Sequence, residues 1–177
     1  MPWTDGDYRR AFEEGHTRNL FVAGLLLSWG VWVKCPTLRF ATDHSEIAKF
    51  TRLEQDLLTS AGVIEVKGQG RSFSGNPAEF PYDSQIVDTV ESWDGKEAQP
   101  FAYIFLSDVT KECLVLPTKS RPRWRIETKF DRLKRRNIDF YVAKAEELCS
   151  MNQLKAHLIS RDEGETVLSP DSTPRFW

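Results

Sequence analysis

The segment 55–69 limits the possible folds more than any other part of the chain. Its sequence is QDLLTSAGVIEVKGQ, in which two short apolar runs are separated by small residues. Residues 55–59 and 63–67 are rich in the residue types of β-strands, and Ala61 and Gly62 predict a turn between them. Two neighbouring strands joined by a short turn form an antiparallel hairpin. We therefore expect a β-sheet that includes this hairpin.

Two acidic residues and one lysine belong to the hairpin. Glu65 and Lys67 are two positions apart on the second strand, so their side chains point to one face of the sheet. Ile64 and Val66 then point to the other face, into the core. Asp56 lies on the preceding strand, and the hairpin can bring it close to Glu65. The sequence predicts two carboxylates and one ammonium group at one end of a sheet.

This set of groups suits a Mg²⁺ or Mn²⁺ ion, which prefers carboxylate oxygens, water and phosphate oxygens. Asp56 and Glu65 would hold the ion, and the backbone carbonyl of Val66 is a further candidate ligand. Such an ion polarises a phosphodiester and lowers the pKa of a bound water. Lys67 would orient or help deprotonate that water, or stabilise developing negative charge. Gln69 would position water or phosphate.

The order of Asp56, a turn, and then Glu65, Val66 and Lys67 resembles the PD-(D/E)XK superfamily of restriction-endonuclease-like nucleases. The resemblance extends over roughly residues 9–150. It implies an α/β fold with a restriction-endonuclease-like core, in which a central mixed β-sheet is flanked by helices. It also implies a metal-dependent DNA endonuclease that hydrolyses phosphodiester bonds, either restriction-like or Holliday-junction-resolvase-like.

The chain departs from the family pattern at two places. Gln55 stands where the name of the family has proline, which many members lack. Many members also place an acidic residue on the first helix, facing the metals. Glu14 is the candidate metal ligand there, whereas the spacing from Leu26 and Gly30 brings Asn19 to that place. Both alternatives remain open at the level of sequence.

The rest of the pattern predicts a single nuclease-like domain over residues 1–160 and a polar C-terminal tail over 161–177. A long apolar helix should end at Gly30, a residue type that terminates helices. This helix is expected over 17–29. The other expected elements are strands over 31–34, 86–90, 102–107 and 113–117, loops over 42–52 and 68–80, and a basic helix over 125–148.

Basic residues form two groups that the nuclease interpretation assigns to DNA. Arg71 lies in the loop that directly follows the hairpin, where it is placed to close over a bound duplex. A charge run on a helix is usually a solvated face, but within a nuclease it is a natural place to bind phosphate. The candidates of the second group are Lys119, Arg121, Arg123 and Arg125.

The net charge, the cysteine residues and the apolar stretches limit the classes of protein to which the chain can belong. The 177 residues carry a net charge of −2, which argues against a general nucleic-acid coater but not against a local basic patch. Cys35, Cys113 and Cys149 form no CxxC pair, so we expect reduced thiols in a cytoplasmic protein. The longest apolar stretch, 20–33, is shorter than the ~20 residues that span a membrane, so no membrane partner is expected.

Three alternatives accompany the endonuclease hypothesis. The chain can be a catalytically inactive nucleic-acid-binding or assembly protein that retains the nuclease fold, which the acidic net charge favours. It can be an unrelated α/β enzyme, although it has no GxGxxG, GxxxxGK[ST] or GxSxG motif. The charges of the hairpin can also be a salt-bridge ladder across strands. A nuclease that cuts both strands symmetrically is expected to be a homodimer.

Overall fold

The computed structural model describes residues 5–36, 56–131 and 135–165. They form an α/β protein with a six-stranded mixed sheet, a three-stranded antiparallel sheet and few helices. The helices are α1 (Asp5–Ser28), α2 (Val90–Asp94) and α3 (Met151–Glu165). The strands are β1 (Val33–Lys34), β2 (Leu57–Thr59), β3 (Gly62–Gln69), β4 (Ser84–Thr89), β5 (Ala102–Ser107), β6 (Cys113–Pro117), β7 (Arg125–Asp131), β8 (Arg136–Lys144) and β9 (Cys149–Ser150).

The larger sheet has the strand order β1-β2-β3-β5-β6-β9, and the smaller sheet has the order β4-β8-β7. In the larger sheet β1, β2 and β3 pair in antiparallel fashion, whereas β5 lies parallel to β3. A parallel pair requires a crossover connection. Here the crossover contains β4 and α2, so the chain visits the smaller sheet before it returns to the larger one.

One face of the larger sheet is covered by α1 and α3. Residues four apart on a helix and two apart on a strand share a face, so regular spacing of apolar residues builds this core. On β3 the alternation buries Ile64 and Val66, as the sequence predicts. The buried aliphatic side chains on this face include Val22, Leu26, Ile64, Val66, Ile104, Leu154 and Leu158.

The opposite face of the larger sheet is covered by an aromatic cluster and the smaller sheet. Tyr103 and Phe105 of β5 point to this side, where Trp93, Trp124 and Tyr141 pack together. The ring centroids of Trp93 and Trp124 are 5.1 Å apart, and those of Trp93 and Tyr103 are 5.9 Å apart. Every residue of β5 is buried because the strand has a core on each of its faces.

Helix α1 ends at the predicted glycine. Gly30 has a φ of 81°, its N–H donates to the carbonyl of Leu27 at 2.9 Å, and the N–H of Val31 donates to the carbonyl of Leu26 at 3.2 Å. This pair of bonds is a Schellman C-cap, whose left-handed residue is usually glycine. The helix covers residues 17–28 of the predicted segment 17–29 but begins much earlier, at Asp5.

The predicted helix over 125–148 is wrong. Its residues form β7 and β8, a hairpin paired from Arg125 with Val142 to Asp131 with Arg136. The run of basic residues suggested the surface of a helix. The apolar residues, however, recur every second position, as Ile138 and Val142 show with Phe140 between them, and a period of two defines a strand.

The other predicted elements agree better with the structure. The predicted strands 102–107 and 113–117 are β5 and β6, and the strand 86–90 corresponds to β4. Only Val33–Lys34 of the segment 31–34 is paired. The predicted loop 42–52 lies outside the described residues, and α3 continues to Glu165, past the predicted boundary at residue 161. Helices flank one face of the larger sheet, whereas the smaller sheet covers the other. Within the described residues no helix is long and apolar enough to cross a membrane.

Candidate active site

Asp56 lies at the point where the chain enters β2. Because Leu57 pairs with Ile64, the residue before Leu57 lies beside the middle of β3. The carboxylate of Asp56 accepts a hydrogen bond from the backbone N–H of Val66 at 2.7 Å through Oδ2. Its other oxygen, Oδ1, accepts one from Nδ2 of Asn19 on α1 at 3.2 Å. The hairpin thus brings Asp56 close to Glu65, as the sequence predicts.

Burial raises the pKa of Asp56, and the negative charge of Glu65 raises it further. The hydrogen bonds from Val66 and Asn19 and the charge of Lys67 act in the opposite direction but do not compensate. The folded protein therefore holds a carboxylate that is costly to ionise until a positive charge is supplied. Such perturbed acids are concentrated at functional sites.

Glu65 and Lys67 share the face of β3 that the sequence predicts, opposite to the aliphatic core. Lys67 Nζ lies 2.6 Å from Glu65 Oε1, and the two side chains are 32% and 14% exposed. Burial alone would lower the pKa of Lys67, but the nearby carboxylates outweigh it and raise that pKa. The lysine is consequently held as an ammonium group.

Asp88 and Lys96 complete the site from outside the hairpin. Lys96 Nζ lies 3.2 Å from Glu65 Oε2 and 3.1 Å from Asp88 Oδ2, while Lys67 Nζ lies 3.6 Å from Asp88 Oδ1. The hydroxyl of Tyr103 donates to Asp88 Oδ2 at 3.0 Å. We refer to Asp56, Glu65, Lys67, Asp88 and Lys96 as the charged cluster.

The charge of Asp88 is better compensated than that of Asp56. Burial opposes its ionisation, but Lys67 and Lys96 outweigh burial and lower the pKa of Asp88. Burial, together with the charges of Glu65 and Asp88, raises the pKa of Tyr103, which remains a hydrogen-bond donor. The three carboxylates and two ammonium groups leave one negative charge without a counter-charge inside the charged cluster, and that excess falls on Asp56.

Sequence patterns gave little indication that Asp88, Lys96 and Tyr103 belong to the site. Asp88 belongs to β4 of the smaller sheet, and a register irregularity between Ile86 and Asp88 brings it to the site. Lys96 follows α2, which begins at the N-cap Thr89 and ends at Gly95. The sequence signal for this part of the site was Asp88 itself, an acidic residue in an otherwise apolar segment. A buried acidic side chain requires a partner, so such a residue indicates a nearby cation or hydrogen-bond donor.

Glu14 and Asn19 have different surroundings. The structure brings Asn19 to Asp56, whereas Glu14 lies more than one helical turn earlier and pairs with Arg18 at 3.3 Å. The side chain of Glu14 is 55% exposed. The structure therefore does not place Glu14 with Asp56. The spacing argument from Leu26 and Gly30 gave the correct position on α1.

Val66 and Gln69 occupy the β3 positions that the hypothesis requires. The N–H of Val66 points to Asp56, and in an extended strand the carbonyl of a residue points to the same side as its N–H. Gln69 ends β3 on the face of Glu65 and Lys67, and its carbonyl accepts from the N–H of Asp108 at 2.8 Å.

The predicted DNA-binding arginines are partly engaged within the protein. Arg71 donates to Gln85 Oε1, and its guanidinium lies 4.1 Å from the ring centre of Tyr82. Arg121 lies 3.8 Å from the ring centre of Tyr141. Lys119 is exposed, and it lies beside Arg121 on a 3₁₀ turn that follows β6. Salt bridges hold the other two predicted residues: Arg123 with Glu147 at 2.8 Å, and Arg125 with Glu127 at 2.6 Å.

The oxygens of Asp56 and Glu65 are of the type that a hard divalent cation prefers. Asp56 and Glu65 provide carboxylate oxygens, and the Val66 carbonyl points to the side of Asp56. Within residues 5–36, 56–131 and 135–165, no group of three or more His, Cys, Asp or Glu side chains is placed to hold a metal. A cation at this site would rely on two side chains, backbone and water, which is typical of Mg²⁺. The predicted ligand Glu14 is not part of this set.

Comparison of the chain with protein-family models, with curated proteins and with solved structures found no match.

Proposed function

We propose that the chain is a metal-dependent endonuclease with a restriction-endonuclease-like core, which hydrolyses phosphodiester bonds of DNA. One observation carries the proposal. The carboxylate of Asp56 accepts a hydrogen bond from the N–H of Val66, the residue between Glu65 and Lys67. An acidic residue and an acid-x-lysine pair therefore lie side by side where the two strands meet. The mixed sheet and the position of α1 over β3 are consistent with this class of fold.

The residues of the site have distinct roles in this proposal. Asp56, Glu65 and the carbonyl of Val66 would hold Mg²⁺ or Mn²⁺, and the excess negative charge at Asp56 favours a cation there. The bound ion would supply Lewis-acid activation of a water and of the scissile phosphate. Lys67 is held as an ammonium group, so it acts as a hydrogen-bond donor to developing negative charge and not as a base.

Asp88 and Lys96 act as positioning residues in this proposal. Lys67 lies between Glu65 and Asp88, and Lys96 bridges the same two carboxylates from the other side. Tyr103 fixes Asp88 by a hydrogen bond. Side chains that are locked by such partners keep a reacting group in place. Gln69, at the end of β3, is a candidate to orient water or phosphate.

The test is a cleavage assay on supercoiled plasmid, linear duplex, single strands and a four-way junction. Each substrate is incubated with Mg²⁺, with Mn²⁺ and with EDTA. We expect metal-dependent cleavage, and we expect Lys67→Ala to lower its rate by roughly 100-fold or more because one donor to developing charge is lost. Lys144→Ala is the matched control, since Lys144 is an exposed lysine that pairs with Glu146 at the surface.

Either of two results would contradict the proposal. Cleavage that persists in EDTA would remove the metal from the reaction, and full activity of folded Lys67→Ala would remove the proposed role of Lys67. The preferred substrate distinguishes a junction-resolving activity from a restriction-like activity. Circular dichroism and a thermal transition of each variant show whether a loss of activity reflects a loss of fold.

A second candidate function is a catalytically inactive nucleic-acid-binding or assembly protein that retains this fold. Two observations favour it: Asn19 occupies the α1 position beside Asp56, and Lys96 already neutralises Glu65. Binding of DNA in a mobility-shift assay, without cleavage of any substrate in Mg²⁺ or Mn²⁺, would support this function. The same preparation must show a normal folding transition.

A further inference from the structure

Strand β7 is the outer strand of the smaller sheet, and its surface is unusual for an edge. The sheet order β4-β8-β7 leaves one side of β7 without a neighbouring strand within the described residues. Most of its residues are exposed, including Ile126 at 57% and Phe130 at 63%. An edge strand that exposes large apolar side chains is a ready template for another strand.

The side chains of β7 alternate in both polarity and sign. One face of β7 carries charged side chains whose sign alternates along the strand, namely Arg125, Glu127, Lys129 and Asp131. The other face carries Ile126, Thr128 and Phe130. The strand therefore has no net charge, unlike an edge that is protected by a run of lysines.

We infer that β7 is a docking strand for β7 of a second copy of this chain. In an antiparallel pair centred on Thr128, each residue faces the one equally far on the other side of the centre. Arg125 then faces Asp131 of the partner subunit, and Glu127 faces Lys129 of the partner subunit. Ile126 faces Phe130 of the partner subunit, and the two Thr128 residues face each other. Opposite charges, aliphatic with aromatic residues, and paired threonines are all favourable cross-strand neighbours.

Other alignments of the same strands are unfavourable. Centring the antiparallel pair on Glu127 sets Glu127 against its own copy and Arg125 against Lys129. Centring it on Lys129 sets Lys129 against its own copy and Glu127 against Asp131. A shift by one residue places apolar side chains opposite charged ones, and a parallel in-register pair opposes like charges throughout. A cross-strand pair of like charges is destabilising, so among antiparallel alignments that pair at least five residues of β7 the pattern favours the one centred on Thr128.

Pairing β7 with a second copy would rearrange the ion pairs that Glu127 makes within one chain, and this costs little stability. Glu127 is bonded to Arg125 at 2.6 Å and to Lys129 at 3.0 Å, but these are exposed ion pairs, which contribute little to stability. The pairing would join the two three-stranded sheets into one continuous sheet of six strands across a two-fold axis. This inference is independent of the proposed nuclease activity.

Analytical ultracentrifugation of the full chain tests the pairing at about 1 to 100 µM protein. We expect the wild-type chain to dimerise in this range. Glu127→Lys and Lys129→Glu should each raise the dimer dissociation constant at least about tenfold, because each sets like charges opposite one another twice across the two-fold axis. The double variant Glu127→Lys/Lys129→Glu restores opposite charges and should dimerise like the wild type.

Lys144→Glu is the matched control for Lys129→Glu, since it makes the same change of charge at an exposed lysine on β8. It should leave dimerisation unchanged. A wild-type chain that stays monomeric overturns the inference, as does a dimer that both single variants leave intact. Failure of the double variant to recover would also overturn it, provided that a thermal transition shows this variant to be folded.

A disulfide tests the register directly. Directly opposed Cα atoms of antiparallel strands are about 4.5 to 5.5 Å apart, which is within the range of a disulfide. Thr128→Cys should therefore cross-link two copies under mild oxidation. Asp139→Cys is the control, because Asp139 pairs with Thr128 within one chain and lies one strand farther from the partner. Cross-linking of the control to the same extent as Thr128→Cys, or of neither variant, contradicts the proposed register.

Discussion

Asp56 lies where an ionised side chain is unfavourable for stability but where the proposed metal site would use it. Its carboxylate is buried, and it lies close to Glu65, whose charge is already shared between Lys67 and Lys96. Ionised Asp56 therefore has hydrogen-bond donors but no dedicated counter-ion within the charged cluster. A protein built only for stability would not keep a carboxylate in such a place. Binding of a cation would convert this cost into affinity.

The raised pKa of Asp56 makes the stability of the metal-free protein depend on pH. The folded protein retains the proton of Asp56 at pH values where the unfolded chain has released it. The free energy of unfolding should therefore fall as pH rises from the ordinary value of Asp, about 3.9, through the raised folded-state value. Asp56→Asn should remove this decrease and be the more stable protein at neutral pH.

Urea unfolding in EDTA between acid and neutral pH measures the difference between wild type and Asp56→Asn. The lowered pKa of Asp88 acts with the opposite sign, since its stabilisation is lost as pH falls through the folded-state value. The contribution of Asp88 is present in both the wild type and Asp56→Asn, so it cancels when their free energies of unfolding are subtracted. A difference that does not change with pH would contradict the raised pKa of Asp56.

Lys96 offers a second test, because it competes with any cation for Glu65 and Asp88. Lys96→Gln should destabilise the metal-free protein by about 1–3 kcal/mol, the typical cost of removing a partner from buried charged groups. It should also strengthen binding of Mg²⁺, which calorimetric titration measures. Lys144→Gln, at a surface pair, is the control and should change stability by less than about 0.5 kcal/mol. Weaker Mg²⁺ binding in Lys96→Gln would show that the ammonium supports the site and does not compete with the ion.

At the scale of elements, local patterns were reliable where one strand carried the information. The alternation in β3 correctly placed Glu65 and Lys67 on one face and Ile64 on the other. Gly30 correctly marked the end of α1. The hairpin of β7 and β8 was missed because its charges suggested a helix surface, although its apolar residues alternate. Asp88 was not assigned to the site, because its position depends on how the smaller sheet packs on β5.

The junction of α1 with β3 depends on the absence of a side chain at one position. Arg18 donates to Asp108 through Nε at 2.8 Å, and its side chain crosses directly over Gly68 of β3. A Cβ atom at residue 68 would overlap the Arg18 side chain, whereas one at Gly70 would meet open space. A side chain at residue 68 would therefore displace the Arg18 guanidinium from its present place beside Asp108.

We expect Gly68→Ala to destabilise the protein by about 1 kcal/mol, because the added carbon displaces the Arg18 side chain and weakens its hydrogen bond to Asp108. Gly70→Ala is the matched control and should stay within about 0.5 kcal/mol of the wild type. In Arg18→Ala the space above Gly68 is free, so Gly68→Ala should cost much less in that background. Urea unfolding of the double-mutant cycle measures this coupling. Equal effects in both backgrounds would exclude the contact as the cause.

At the scale of the whole molecule, the site lies between the two sheets. The larger sheet supplies Glu65, Lys67 and Tyr103, and the smaller sheet supplies Asp88. The aromatic cluster that joins the sheets surrounds Tyr103, which stacks on Phe105 and contacts Trp93 and Trp124. The position of Asp88 therefore depends on the whole fold, which explains why spacing within one segment did not reveal it.

We expect Mg²⁺ to stabilise the entire protein, because the unfolded chain does not assemble its ligands. At a concentration hundredfold above the dissociation constant, one bound ion adds about 2.7 kcal/mol to the free energy of unfolding. For a chain of this size that corresponds to a rise in Tm of roughly 5–10 °C. Differential scanning calorimetry in Mg²⁺, compared with Na⁺ at equal ionic strength, measures the rise.

Variants of the site separate residues that would hold the ion from the residue that would act on the substrate. Asp56→Asn and Glu65→Gln each remove a charged ligand, so the rise in Tm should disappear in both. Lys67→Ala removes no ligand, and its loss leaves more negative charge around Glu65, so the rise should be retained or become larger. A rise that is equal in all four proteins would place the ion elsewhere on the molecule. A rise lost only in Lys67→Ala would reverse the roles assigned to the lysine and the carboxylates.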